Sequence, residues 1–359
     1  MHLKRKAWLI VLLLILVIRI FSNFPEAVER YYSTGLYPLI SGLQRILFGW
    51  IPFSIGDILY ALTAIVLLVR LIKFLKTVFR KQATRLYWRN SLLWLVFTAL
   101  MVYCFFNLVW GLNYNRIGVA QQLELKMDRY TTEELAAVMS ALAVKLDSLA
   151  PRAATNRAEL GKKRNLFKGA LQAYNSCSKD FSFLTYKNPS VKPSLFSYLG
   201  DYMGYTGYYN PFSGEAQVNT TVPVFVQPFT ACHEIGHQLG YAKENEANFA
   251  GYLSARSSAD QRFRYSVYFD MFLYGIGELT YRDSTVSAGL RKKLPAQVKK
   301  DVAELRKFYK AYENPIEPYI RQLYAQYLRA NQQPSGMKSY NEVMAFLVAY
   351  YKKYGAESL

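Results

Sequence analysis

The chain has 359 residues, 52% hydrophobic and 16% aromatic, with a formal charge of +19 and only three cysteines. The length leaves room for more than one domain, and the cysteine count excludes a cysteine-rich zinc module. Residues 1–113 hold 13 Lys/Arg against 3 Asp/Glu and residues 114–359 hold 31 against 22; half the excess thus sits in apolar sequence without a recognition motif, and nucleic acid is not an expected partner.

A basic start, Lys4-Arg5-Lys6, leads into an apolar run from Ala7 to Phe24. No small-residue cleavage site follows, and further apolar runs cover about 51–75 and 91–112. The reading is therefore three retained transmembrane helices, at about 7–24, 51–75 and 91–112, rather than a signal peptide. The segment from Arg70 to Asn90 carries seven basic residues and no acid, whereas the segment between the first two spans is nearly balanced. Positive loops stay inside. The N-terminus is thus expected in the cytoplasm, and residues 114–359 are expected outside it, beyond a membrane domain of residues 1–113. The spans carry no paired charges, which argues against a transporter.

The outer part reads as mainly helical with a small β element. Thr131 and Glu134 form a capping box that opens a helix to about Leu149. Polar sequence from Pro151 to Lys163 reads as a loop, and Arg164 to Ser178 as a helix. Tyr209 to Glu215 is turn-like, and Ala216 to Val222 has the β-branched character of a short strand. A helix starts near Phe229 and stops at Gly240, and another covers about Lys243 to Ala255. Further helices are expected near 259–281, 295–312, 315–330 and 340–354.

The helix that ends at Gly240 contains His233-Glu234-Ile235-Gly236-His237. Histidines four apart share one helix face, so both imidazoles can bind one Zn2+, with Glu234 placed to take a proton from water held there. Catalytic zinc takes three protein ligands. The remaining histidine of the chain is His2, on the cytoplasmic side by the reading above. The third ligand is therefore expected to be a carboxylate, since Cys232 lies round the helix from the shared face. Glu244 and Glu246 are the candidates, and they point to nearly opposite sides of their helix. Glu244 is favoured because Asn248 lies one turn later on its face, where it can orient a ligating histidine. Cys104 lies in an apolar run, which leaves Cys177 and Cys232 as the one conceivable disulfide; free buried thiols are expected.

The motif His233-Glu234-x-x-His237 followed by Glu244-x-x-x-Asn248 resembles zinc peptidases of the gluzincin type. That resemblance implies a zincin-like α+β domain, zinc on His233, His237 and Glu244, and Glu234 as base. The step from His237 to Glu244 is shorter than most gluzincins use. Gly240 is shared with metzincins, but Lys243 replaces their third histidine. Together, the three spans, Tyr209-Asn210-Pro211-Phe212-Ser213-Gly214-Glu215-Ala216, HEIGHQLG and EANF resemble an uncharacterised family of bacterial membrane proteins, which implies a multi-pass protein of the cytoplasmic (inner) membrane.

Such peptidases pair an extended substrate with a strand edge beside the motif helix, and Ala216 to Thr221 is either that edge or a plain structural strand. An oxyanion-stabilising group is also required. Among 30 tyrosines, Tyr209, Tyr265 and Tyr268 are the candidates, along with Arg264. Glu215 is either a ligand for a substrate amine or a solvated turn residue. The function these features point to is a membrane-anchored zinc metallopeptidase whose partners are the lipid bilayer and a peptide or protein substrate, with no specific protein partner indicated. The alternative is a catalytically inactive, zinc-stabilised envelope module that binds or senses.

Overall fold

A computed structural model describes residues 5–359. Helix α1 (Arg5–Phe21) is apolar along most of its length. The chain turns, re-enters helix at Pro25, passes through a π-helical stretch (Val28–Leu36) and continues into α2 (Tyr37–Phe48). The α1 segment and Pro25–Phe48 are bent by 103° relative to each other. Helices α3 (Ile55–Phe79) and α4 (Arg85–Val109) are each long and apolar enough to cross a membrane, and the bent pair makes a third crossing only if it counts as one span.

These bounds shift the expected ones for a local reason. The second run begins four residues later than its hydropathy because Ser54 caps α3, its hydroxyl accepting from the Asp57 amide at 2.9 Å. The third begins earlier because Thr84 caps α4 ahead of the apolar sequence. The segment between the first two runs, expected only as a connection, is mostly helix, and its inner face is held by Val28, Tyr32, Tyr37 and Arg45.

Beyond residue 114 the helical expectation holds, with displaced ends. Helix α5 (Thr132–Ala154) opens on the Thr131–Glu134 capping box and buries Leu135, Val138, Met139, Leu142 and Leu146, one stripe at helical spacing. It runs through Pro151, shortening the polar stretch read as loop to a 3₁₀ turn, Arg157–Gly161. Helix α6 (Lys163–Cys177) follows. Three short strands come next, β1 (Val191–Pro193), β2 (Gly207–Asn210) and β3 (Glu215–Val218), in the order β1-β3-β2. Strand β3 pairs parallel with β1 and antiparallel with β2. It is wholly buried and central, so of the two readings it is the structural strand rather than an edge. The edges are β1 and β2, and β2 is the one that lines the cleft.

Helices α7 (Gln227–Gln238) and α8 (Glu244–Arg256) form the buried heart of the chain beyond residue 114, and α9 (Gln261–Arg282) packs on α5. The tail adds α10 (Ser284–Lys293), α11 (Ala296–Ala311), α12 (Glu317–Ala330) and α13 (Val343–Tyr354). Helix α10 is unexpected; Asp283 caps it directly after α9 ends, accepting from the Val286 amide at 2.9 Å. All three cysteines are free and buried.

Candidate metal centre

Every residue of α7 is buried, so the imidazoles are placed by packing around the helix and meet open space only at the cleft. The helix ends in a Schellman motif: the Gly240 amide donates to the His237 carbonyl at 2.9 Å and the Tyr241 amide to Gly236 at 3.2 Å. Gly240 sits at φ +88, the left-handed backbone a side chain disfavours. The remaining end carbonyls are served from the first third of the chain. Trp110 Nε1 donates to the His237 carbonyl (3.3 Å), Tyr37 Oη and Arg45 to Gln238 (2.9 and 3.2 Å), and Arg116 to Leu239 (3.3 Å).

The reversal at Gly240 has two consequences for the site. It delivers the Tyr241 carbonyl to His237 Nδ1 at 2.8 Å. A carbonyl only accepts, so Nδ1 carries the proton and Nε2 presents its lone pair. It also returns α8 against α7 at very short range. A Cβ on Gly251 would sit 3.0 Å from the His233 backbone, and one on Gly236 3.1 Å from the Ala247 carbonyl. That close packing brings the first turn of α8 over the histidines. The Glu244 amide, at the open helix start, donates to Gln333 Oε1 at 2.9 Å.

Glu244 Oε2 lies 3.3 Å from His233 Nε2 and 3.4 Å from His237 Nε2. Donor atoms of His233, Glu234 and His237 also lie within 4.8 Å of one another. Ligands at about 2.0–2.2 Å from a tetrahedral zinc are about 3.3–3.6 Å apart, and the observed separations match. A charge-assisted hydrogen bond between carboxylate and imidazolium closes to about 2.7–2.9 Å; here Oε2 is buried without a hydrogen bond of ordinary geometry. The donors are thus held apart at ligand spacing rather than collapsed on each other. Glu244 Oε1 accepts from Tyr324 Oη at 2.8 Å, which fixes the carboxylate plane. The residues fit a divalent zinc-type ion.

Electrostatics divide the two acids. Burial alone would raise the pKa of Glu244, but His237 and His233 outweigh it and hold it well below the usual carboxylate range. Glu234 has the opposite balance. Burial, with repulsion from Glu244, pushes it up to about 8 against the pull of His237. Its Oε2 is buried without a partner, and its Oε1 stands where a Cβ on Gly207 would be, 2.7 Å away. Glycine at 207 therefore lets the edge strand lie directly on the glutamate.

Glu246, the other candidate ligand, faces away from the histidines. Its carboxylate is 3.6 Å from Lys243 Nζ and occupies the space a Cβ on Gly118 would need. Asn248 lies on the expected face, beside the His233 ring, whose pKa burial pushes below its ordinary value against the pull of Glu244 and Asn248. Its Nδ2 donates to the Tyr340 carbonyl at 3.1 Å, while His233 Nδ1 makes no hydrogen bond of ordinary geometry.

Most of the other nominated residues serve elsewhere. Tyr265 donates to Asp301 in a cluster with Arg157; Tyr268 is in the main core, and neither it nor Arg264 lines the site. Tyr209 lines the cleft, but its hydroxyl is hydrogen-bonded to that of Tyr37 at 3.3 Å. Glu215 is fully buried and meets no cleft; it caps α3, accepting from the Ile55 and Gly56 amides at 3.2 and 2.6 Å.

In their place stand tyrosines of the tail. The Tyr340 ring stacks on His233 with centroids 6.3 Å apart, and its hydroxyl is 3.3 Å from that of Tyr324. Tyr324 spends its proton on Glu244, so Tyr340 is the donor of the Tyr340–Tyr324 pair, and its O–H can turn from Tyr324 to an acceptor placed in the cleft. Burial and the charge of Glu244 hold both phenols well above their ordinary pKa. No spacing in the sequence marks these two among 30 tyrosines.

The chain belongs to a family described as a protein of unknown function (DUF3810), which matches residues 32–348. No curated protein and no solved structure matches it.

Proposed function

We propose that this protein is a zinc-dependent metallopeptidase of the gluzincin type, held in the bacterial cytoplasmic membrane with its site outside the cytoplasm. The observation that carries the reading is Glu244 Oε2 at 3.3 and 3.4 Å from the two imidazole Nε2 atoms, beside an unpartnered buried Glu234. His233, His237 and Glu244 would hold the ion, which when bound polarises a carbonyl and acidifies water. Glu234 accepts the proton of the attacking water and returns it to the leaving amine. Tyr340 donates to the oxygen that gains charge on attack.

A peptide substrate is supported by the sheet. Residues 206, 208 and 210 face β3 in the hydrogen-bonded register, in line with the bond from the Asn219 amide to the Thr206 carbonyl at 2.8 Å. Alternation then turns the amides and carbonyls of Gly207 and Tyr209 to the free edge, where an extended chain can pair. Placement outside the cytoplasm is supported by the helices: α3 and α4 are joined at one end by the basic segment Arg80–Arg85, and the cluster lies at their other end.

The deciding experiment is Glu234→Gln in the full chain, loaded with zinc and given a mixed peptide library. Stoichiometric zinc with turnover lowered at least about 10³-fold is expected. Undiminished turnover by the variant would overturn the mechanism, and a wild type that binds zinc but cleaves nothing would favour the binding or sensing module.

A further inference from the structure

The cleft over the cluster has two unlike ends. One is a cavity of about 430 Å³ and the other a cavity of about 510 Å³, and both are walled by Gly207, Tyr208, His233, Glu234, Tyr324 and Tyr340. They are therefore two lobes of a single cleft that passes along the free edge of β2. The larger lobe counts the charged side chains of Asp270, Glu317 and Arg321 among its walls. The smaller is closed by Tyr60 of α3, Phe106 of α4, Trp110 and Phe212, with no charged side chain among those four.

The aromatic lobe is continuous with the apolar surface of the two long helices. Tyr60 is five residues into α3 and Phe106 three residues from the end of α4, so this wall lies about 5–8 Å inward from the helix ends at 1.5 Å per residue. The β2–β3 turn reaches to the same depth. Phe212 stacks on Phe105 with centroids 5.7 Å apart and meets Tyr60 edge-on at 6.5 Å. Around it Leu59, Leu62, Val102 and Phe105 are exposed apolar positions of α3 and α4. Tyr and Trp are the residues that settle at the boundary between lipid and water.

We propose that the substrate of this site is a membrane-anchored polypeptide. Its juxtamembrane residues lie extended along β2, and the flank next to its anchor occupies the lobe of Tyr60, Phe106, Trp110 and Phe212. The inference rests on the peptidase reading above and adds where the cut falls. A chain paired with β2 leaves the aromatic lobe at the level of the bilayer surface, so a tail emerging from a neighbouring membrane helix reaches Glu234 within a few residues. The free amides and carbonyls of Gly207 and Tyr209 select a polypeptide over a lipid tail, which has nothing to pair with them.

The test uses the full zinc-loaded chain in phosphatidylcholine–phosphatidylglycerol vesicles. One probe is a leucine-rich transmembrane peptide followed by a degenerate tail of about 30 residues, long enough at about 3.3 Å per residue to reach far beyond the cleft. The other is the same tail without an anchor. The anchored probe should be cut at least about tenfold faster, at sites within about ten residues of the anchor, and Tyr60→Ala should reduce that ratio. Equal rates, or cuts spread evenly along the tail, overturn the inference and leave the peptidase reading intact.

If neither probe is cut, the peptidase reading fails on its own, and a photo-crosslinking residue at position 60 in the Glu234→Gln chain decides the inference. Capture of the anchored tail near its anchor supports it, and capture of phospholipid alone overturns it.

Discussion

The small sheet touches two sets of buried carboxylates, and the chain treats them in opposite ways. On one side Glu215 and Asp57 join the sheet to the start of α3. Glu215 accepts from two backbone amides, from Ser213 at 2.9 Å and from Ser54 at 3.4 Å. Asp57 accepts from the Leu195 amide at 2.6 Å, from Ser194 at 3.3 Å and from Tyr208. On the other side Glu234 and Glu244 each keep a buried oxygen without a hydrogen bond. A buried charge with its lone pairs filled holds a fold together, whereas carboxylates left unfilled beside a pair of imidazoles are what the proposed metal centre calls for. The same residue type thus marks a joint in one place and a candidate site in the other.

The comparison breaks most sharply at the proposed ligands. Glu244→Ala removes one of the three side chains proposed to hold zinc and should lower zinc affinity at least about 10³-fold, read by competition with a chromophoric chelator. Glu246→Ala should keep zinc within about threefold, because its carboxylate lies by Lys243. Equal losses from both would dissolve the distinction between them. Next comes the joint. Glu215→Ala leaves the α3 amides and two hydroxyls without their acceptor and should cost about 3 kcal/mol, seen as a lower melting temperature in detergent. Its zinc stoichiometry should be unchanged; loss of zinc without loss of stability would put Glu215 at the site after all.

A smaller effect tests whether support around the ligand matters. Tyr324→Phe removes the 2.8 Å hydrogen bond to Glu244 Oε1. Zinc affinity should fall about 10–100-fold, as is usual when an outer partner of a ligand is lost. An unchanged affinity would mean that packing alone orients the carboxylate.

Legibility in the sequence followed how local each determinant is. The imidazole pair, the helix stop at Gly240 and the placement of Glu244 rather than Glu246 beside the histidines depend on helical periodicity over sixteen residues (233–248), and they could be read directly. The capping box at Thr131 was equally plain. What could not be read depends on distant contacts. Whether Glu215 meets water or the amides of α3 is set across about 160 residues of sequence. Tyr340 reaches His233 only because α12 and the tail fold back over α8, and its neighbours in sequence carry no trace of that. The edge strand escaped notice because Gly207-Tyr208-Tyr209-Asn210 is too short for alternation to show, while the more β-branched stretch after it became the buried centre.

Asp270 offers the finest test, because it belongs to neither set. It stands in the wall of the larger lobe, with Oδ2 buried and unpartnered. Burial raises its pKa to about 8, against roughly 3.9 in an unfolded chain. Below about pH 4 both states hold the proton and the carboxyl costs nothing. As the pH climbs towards 8 the unfolded chain sheds its proton while the folded chain keeps it, so stability drains away across that window and levels off above it. An asparagine side chain at this position has no proton to lose, so Asp270→Asn should be neutral near pH 4 and stabilising by about 2 kcal/mol near pH 8, a figure set below the full shift because the side chain borders the cleft. Melting temperatures of the two proteins at the two pH values measure this. A gain of the same size at both would show that the carboxyl is not desolvated, and that an unpartnered buried acid in this protein need not signal either a joint or a site.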